Sequence, residues 1–206
     1  MKMVIIFIKP LNTVAGGRQK IYNDLDRRTP LISEGGHMKL AVIYHSRTGH
    51  TKLGAEWIAE GMNRIECAEA KVFSIDDVDI DFVKESCGVV FGTPTYSSNM
   101  SAEMRQWLQD NGGKTGLGGK MGGAFATEQY THGGAELAIQ SIQTAELVFG
   151  MLVYSSGMGQ GRPIIHLGPV GVNDNLEAHN GMDKSKDYFL LFGERFARMA
   201  AQLFEK

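Results

Sequence analysis

The chain has 206 residues and a formal net charge of −2, and 43% of its residues are hydrophobic and 21% charged. These proportions exclude a chain that is disordered throughout, and the balanced charge excludes the strongly basic surface of a typical nucleic-acid-binding protein. Two cysteines are too few for a disulfide framework or a four-cysteine zinc site, and no apolar run reaches the ~20 residues that span a bilayer. We therefore expect no nucleic-acid partner, no metal and no membrane insertion, with the cytoplasm as the default location.

The first 37 residues differ in character from the rest of the chain. They hold six basic and three acidic residues, whereas residues 38–206 hold 15 and 20, so the two parts carry opposite net charges. Their apolar run at 4–8 is too short for a signal peptide, and the sequence GGHM at 35–38 resembles a vector junction. We predict a leader or vector-derived extension at 1–37 and a domain at 38–206. The alternative is a natural extension whose residues 4–8 add an edge strand.

From residue 38 onward, strand and helix patterns alternate. Continuous β-rich apolar runs predict strands at 39–45, 70–75, 87–93, 120–127 and 151–155. Apolar residues spaced three and four apart predict helices at about 49–64, from Asn99 or Ser101 to Asn111, at 134–150 and at 184–204. The acidic stretch between them, 76–85, predicts a short helix or a loop.

This alternation predicts an α/β fold with a doubly wound, five-stranded parallel sheet and helices on both faces. Gly122 and Gly123 in the fourth strand indicate close backbone packing there. The connector at 156–183 exceeds the ~12–15 residues of ordinary loops, which favours a functional or mobile segment. Residues 164–167 within it are a candidate for a small extra strand.

Polar, glycine-containing turns follow three of the predicted strands. Because the carboxyl ends of parallel strands lie at one edge of the sheet, ligands of such folds bind there. The turns are SRTGHT at 46–51, GTPTYSSNM at 92–100 and TEQYTHGG at 127–134.

Each turn suits one part of a phosphate-bearing aromatic cofactor. Hydroxyls and Gly49 at the start of a helix can close over a phosphate, although an ordinary helix cap has the same composition. In the second turn, Tyr96 can cover a flat ring while Thr95 and Asn99 bond its edge; a plain loop capped by Asn99 is the alternative. Three such turns at one edge arise by chance far less often than one.

Two other phosphate-binding motifs fail. Gly113-Lys114-Thr115 resembles the end of a P-loop, but Leu108 stands where that motif needs its first glycine. The glycines at 157, 159 and 161 lack the strand–helix context of a dinucleotide fingerprint. The sequence therefore supports neither a nucleotide triphosphatase nor a conventional Rossmann dehydrogenase.

The three turns, above all 92–95 with Asn99-Met100-Ser101 and Met104-Arg105, resemble the flavodoxin-like superfamily. The likeness is to NAD(P)H:quinone oxidoreductases of the tryptophan-repressor-binding-protein type, and it implies strand order 2-1-3-4-5 and noncovalently bound FMN. The phosphate would lie on the first turn and the ring against the other two. The cofactor-binding residues so implied are Ser46, Arg47, Thr48, Gly49, His50, Thr51, Pro94, Thr95, Tyr96, Asn99, Thr127, Glu128, Gln129, Tyr130 and Gly133.

The chain departs from that family on the substrate side. Tyr96-Ser97-Ser98 stands where the family has Arg-Phe-Gly, and Val148-Phe149 stands where it has paired histidines. The resemblance therefore supports FMN binding by this chain more strongly than it supports a quinone as the electron acceptor. Weak candidates for orienting substrate or donating a proton are Tyr96, Tyr130 and His132, although residues in such positions are more often plain loop structure. Glu128 is the negative residue expected to disfavour an anionic reduced flavin.

Three functions follow from the resemblance. The first is an FMN-dependent oxidoreductase that passes electrons from NAD(P)H to a quinone or similar small-molecule acceptor, expected as a homodimer or homotetramer. The second is a non-enzymatic electron carrier of the flavodoxin type. The third is a flavin-free interaction module. Turnover driven by NAD(P)H separates the first from the second, and failure to bind FMN identifies the third.

Overall fold

A computed structural model describes residues 38–173 and 181–204, so the prediction for residues 1–37 lies outside the described residues. The strands are β1 (Met38–Tyr44), β2 (Ala68–Ser74), β3 (Gly88–Tyr96), β4 (Asn99–Met100), β5 (Met121–Glu128), β6 (Leu152–Val153) and β7 (Val170–Val172). The helices are α1 (His50–Met62), α2 (Ile80–Glu85), α3 (Ala102–Asn111), α4 (Ala135–Val148) and α5 (Lys186–Phe204), with 3₁₀ turns at Met158–Gln160 and Gly181–Ser185. The acidic stretch after β2 thus contains a short helix.

The main strands form a parallel sheet in the order β2-β1-β3-β5-β6. Counted without the short β4, this is the predicted order 2-1-3-4-5. The predicted doubly wound α/β fold is therefore confirmed, and the order places the ends of β1, β3 and β5 side by side.

Side chains alternate along the strands between two apolar cores. In β1, Leu40 and Val42 pack on one face, with α1 and α5, while Ala41 and Ile43 pack on the other, with α2, α3 and α4. Strands that are buried on both faces read as continuous apolar runs, which is why β1 and β3 stand out in the sequence.

The predicted fifth strand, 151–155, is shorter in the structure, and a separate strand at 170–172 also pairs with β5. Only Leu152–Val153 pairs with the start of β5, and Val170–Val172 pairs with its end. The chain leaves the sheet after Tyr154, which packs on Phe192 and Phe196 of α5, and Ser156 then takes a left-handed backbone conformation at φ 70°. The prediction of a strand at 164–167 is wrong, because Ile165 makes only an isolated bridge to Gly157.

The third strand is longer than predicted. It extends through Tyr96 and folds back as a hairpin in which Tyr96 pairs with Asn99 of β4. Pro94 does not end the strand, because its neighbour on β5 is Thr127 in a parallel register. The hairpin carries the second polar turn out over the sheet edge.

Close backbone packing at Gly122 and Gly123 is confirmed. A Cβ on Gly123 would lie 2.8 Å from the ring of Phe196, and one on Gly122 would lie 2.8 Å from the carboxyl carbon of Glu146 on the opposite face. A larger residue at either position would therefore force the side chain of Phe196 or Glu146 to move.

Candidate functional site

Three turns surround one cavity of about 490 Å³ at the carboxyl ends of β1, β3 and β5. It is lined by Arg47, Thr48, His50, Thr51, Pro94, Thr95, Tyr96, Thr127, Glu128, Gln129, Tyr130, Gly133 and Asn173. The fold thus brings together polar side chains that lie up to 126 positions apart in the sequence.

The first turn, which connects β1 to α1, is stabilised by hydrogen bonds among its own residues. The amide of Gly49 donates to the Ser46 hydroxyl at 3.0 Å, and the hydroxyl of Thr48 lies 2.9 Å from Nδ1 of His50. Gly49 has φ 93°, a left-handed conformation that favours glycine, and as the N-cap residue of α1 it has no side chain that could cap the helix. The first amides of α1 therefore remain available to an anion, and Ser46 keeps its own hydroxyl proton for another acceptor.

A buried pair of hydroxyls joins the first turn to the third. Thr51 Oγ1 lies 2.8 Å from Thr127 Oγ1 at the end of β5. Because only one of the two can donate in that bond, the other keeps a proton that can be donated to a ligand oxygen. Both residues line the cavity.

The second turn is the tip of the β3–β4 hairpin. Ser97 and Ser98 both have positive φ, 50° and 56°, as a two-residue hairpin turn with the twist of the strands requires. The Ser98 hydroxyl donates to the carbonyl of Gly133 at 3.5 Å, which links the second turn to the third. The hairpin holds Tyr96 at the mouth of the cavity, where it is 40% exposed.

A hydrogen bond of a buried histidine links the residue before the first turn to the residue after the second. His45 Nδ1 lies 2.8 Å from the hydroxyl of Ser101, which also accepts from the amide of Met104 at the start of α3. Burial lowers the pKa of His45, against the opposing effect of the nearby Glu103 carboxyl. Since Ser101 already accepts one bond, its proton is free to go to Nδ1 of a neutral His45 ring.

The third turn places a carboxyl inside the site. Glu128 accepts a hydrogen bond from the amide of Ala135 at 3.1 Å and so caps α4. Burial raises the pKa of its carboxyl. Tyr130 is 57% exposed at the cavity mouth, whereas the exposed His132 does not line the cavity.

Twelve of the fifteen predicted cofactor-binding residues line this cavity; the other three are Ser46, Gly49 and Asn99. Ser46 and Gly49 are joined by a hydrogen bond within the first turn. The side-chain oxygen of Asn99 accepts from the backbone N–H of Met100 and from Arg105. Asn173 is the lining residue that the sequence reasoning missed. Its backbone N–H donates to the carbonyl of Glu128 at 2.8 Å. Asn173 directly follows β7, so a correct prediction of that short strand would have indicated it as a site residue.

One buried hydroxyl within the described residues points to a missing partner. Thr95 lines the cavity, and its buried Oγ1 has no hydrogen-bond partner among the described residues. Buried polar atoms are usually satisfied, so this hydroxyl fits a site that completes its bonds with a polar ligand. The donor set of hydroxyls and amides at one end and tyrosine rings at the other fits a phosphate ester of an aromatic ring.

The described residues contain no group of three or more His, Cys, Asp or Glu placed to hold a metal ion. None of the helices in this part of the chain is long and apolar enough to cross a membrane.

A family model described as a flavodoxin domain matches residues 41–144. That stretch is half of the chain and contains all three turns of the cavity. The chain belongs to the flavodoxin domain family.

Two relatives of this flavodoxin domain carry different names. A protein named flavodoxin from Clostridium saccharobutylicum is 41% identical over 167 residues, which is 81% of this chain and 100% of that protein. A protein named NAD(P)H dehydrogenase (quinone) from Geotalea daltonii is 32% identical and covers 56% of this chain and 70% of its own length.

A solved structure supports the fold of the flavodoxin domain. The flavodoxin, WrbA-like protein from Agrobacterium tumefaciens superposes with a TM-score of 0.63 at 22% identity, covering 80% of this chain and 98% of the other. At that identity the likeness shows the arrangement of strands and helices and not the occupant of the cavity.

Proposed function

We propose that this flavodoxin domain binds FMN noncovalently in the cavity and transfers electrons through it. The observation that carries the proposal is the convergence of the three turns on one cavity, tied together by the Thr51–Thr127 and Ser98–Gly133 hydrogen bonds. The volume of about 490 Å³ lies within the usual range of roughly 300–1,000 Å³ for small-molecule sites.

The end of the cavity at α1 suits the phosphate. Uncapped amides and the positive end of the helix dipole favour an anion there. The hydroxyls of Ser46 and of the Thr51–Thr127 pair each leave a donor for phosphate oxygens.

The opposite end suits the ring. Tyr96 on the second turn and Tyr130 on the third both line the cavity, as does Thr95, whose hydroxyl is unsatisfied within the described residues. FMN supplies hydride and single-electron chemistry, and the chain has to hold the ring and set its surroundings.

The two tyrosines favour an electron carrier as the first function. A ring held between Tyr96 and Tyr130 presents its edge to solvent, which suffices for electron transfer between proteins. Hydride transfer from a nicotinamide needs an open ring face instead. The full-length relative named flavodoxin supports the same function.

The second candidate is reduction of a quinone or similar small acceptor with NAD(P)H. The relatives named NAD(P)H dehydrogenase (quinone) support it. Tyr130, which is 57% exposed, is also free enough to swing aside and open a face of the ring.

Anaerobic reduction separates the two candidates. Protein loaded with FMN and desalted is mixed with dithionite, NADH or NADPH, and the flavin band near ~450 nm is followed. We expect dithionite to bleach it at once, and either nicotinamide to do so far more slowly than the roughly 1–1,000 s⁻¹ of ordinary enzyme turnover.

A matched pair of variants tests the role of the ring cover. Tyr130→Ala removes a ring and should accelerate the slow reaction with NADH or NADPH, whereas Tyr130→Phe keeps the ring and should not. Rapid bleaching of the unaltered protein by a nicotinamide, followed by reoxidation with a quinone, contradicts the carrier and supports the enzyme.

A further inference from the structure

Arg47 reaches from the first turn to the second. Its guanidinium forms an ion pair with Glu103 in the first turn of α3. Its Cζ also lies 5.1 Å from the centroid of the Tyr96 ring, the geometry of a cation–π contact. The side chain therefore lies between an acid that holds it and an aromatic ring that it covers.

This placement differs from the role that the resemblance implies for Arg47. The carboxyl of Glu103 already compensates its charge, and the bond to Arg47 keeps the pKa of that carboxyl below its usual range. The phosphate end has its own donors in the amides of α1 and the hydroxyls of Ser46 and Thr51. The phosphate therefore does not need the guanidinium.

We propose that Arg47, held by Glu103, is a positioning residue that fixes the Tyr96 ring against the cavity and is not a ligand of the phosphate. The inference rests on the proposed binding of FMN. Arg47 of the first turn would then hold in place an aromatic ring of the second turn.

The physical need for such a support lies in the hairpin. Tyr96 stands at a tip where Ser97 and Ser98 hold left-handed conformations, and its ring is 40% exposed. An exposed tyrosine ring exchanges among rotamers, and a planar guanidinium stacked on one face favours a single one. Because Arg47 and Tyr96 both line the cavity, a ring held in one rotamer gives the ligand a defined aromatic surface.

Comparing FMN with riboflavin separates the two roles of Arg47, because riboflavin lacks the phosphate. We expect Arg47→Met to weaken both ligands by the same factor, roughly three- to tenfold, as expected for one lost cation–π contact. Glu103→Gln, which releases the guanidinium, should show the same pattern with a smaller effect. The control Ser46→Ala, which removes a hydroxyl donor at the phosphate end, should weaken FMN alone.

Two further measurements address position directly. In a Tyr96→Leu background, Arg47→Met should have no additional effect on riboflavin affinity, because coupled residues are not additive. Arg47→Lys keeps the charge but not the planar stack, so it should restore only part of the affinity. Flavin fluorescence, which a stacked tyrosine quenches, should be brighter in bound Arg47→Met than in bound unaltered protein.

The contrary outcomes are distinct. If Arg47→Met weakens FMN but not riboflavin, Arg47 is a phosphate ligand and the proposal is overturned. It is also overturned if neither affinity changes, or if the effect persists without Tyr96. If the unaltered protein binds neither ligand, the proposed function itself fails. Thermal unfolding of each variant confirms that the fold is retained.

Discussion

At the scale of single residues, Glu146 has a deeply buried carboxyl, away from solvent. It lies on α4 against the backbone of Gly122 in β5, and neither carboxyl oxygen has a hydrogen-bond partner within the described residues. Burial raises its pKa well above the ordinary value. A carboxyl in such surroundings is stable only when it is protonated.

The raised pKa makes stability depend on pH. Below the ordinary carboxyl pKa, Glu146 is neutral in both the folded and the unfolded chain and costs nothing extra. As pH rises from that ordinary pKa to the raised pKa of the folded state, the free energy of unfolding falls, because over this range only the unfolded chain ionises.

Replacing Glu146 should remove this dependence. We expect Glu146→Gln to flatten the pH profile of the free energy of unfolding, and Glu146→Met to raise that free energy at pH 8 by about 1–3 kcal/mol. Urea unfolding at several pH values measures both. The exposed Glu66, changed to Gln, is the control and should leave the profile unaltered; equal profiles for Glu146→Gln and unaltered protein would contradict the account.

Site residues differ in how far the sequence predicts them. The hydroxyls of the first turn could be found because they follow a clear strand and precede a clear helix. The reach of Arg47 to Glu103 could not, because it depends on how two distant turns meet in the fold. Asn173 was missed because its strand was expected a few residues earlier in the chain.

At the scale of elements, the order of strands and helices was predictable and the ends were less so. Buried parallel strands give apolar runs, and amphipathic helices give regular spacing. The early end of β6 has no such signal, since the whole run at 151–155 reads as one strand. Strand β6 ends where Tyr154 packs on Phe196 of α5 and where Ser156 takes a left-handed backbone conformation. The packing depends on a residue far away in the sequence, so the local pattern does not show it.

The contact between α1 and α5 depends on two reciprocal glycines. A Cβ on Gly61 would lie 2.1 Å from the carbonyl oxygen of Leu190, and a Cβ on Gly193 would lie 2.1 Å from that of Ile58. At these points the helices meet backbone to backbone, and no side-chain rotation relieves the overlap.

We therefore expect Gly61→Ala to destabilise the fold by about 1–3 kcal/mol, or more if the helices cannot shift. Gly113→Ala is the control, because a Cβ there meets nothing within 4 Å. Denaturant unfolding of both variants tests the contact. A Gly61→Ala protein as stable as the control would show that α1 and α5 are packed less closely than the structure has them.

At the scale of the whole molecule, the sheet order places the site. With β1, β3 and β5 adjacent, turns that are about 30 or more positions apart in sequence form one cavity. The alternation of strands and helices predicts this fold class, and the resemblance of the turns adds the strand order. The details that complete the site, such as the Thr51–Thr127 pair, come only from the three-dimensional arrangement.

The central claim is that this cavity holds one FMN. Titrating the protein with FMN and following flavin fluorescence tests it most directly. We expect quenching that saturates at one FMN per chain, with a dissociation constant of about 1 µM or less, equivalent to at least ~8 kcal/mol of binding free energy. Fluorescence that stays unchanged with excess protein would contradict the claim and leave the three turns without their proposed ligand.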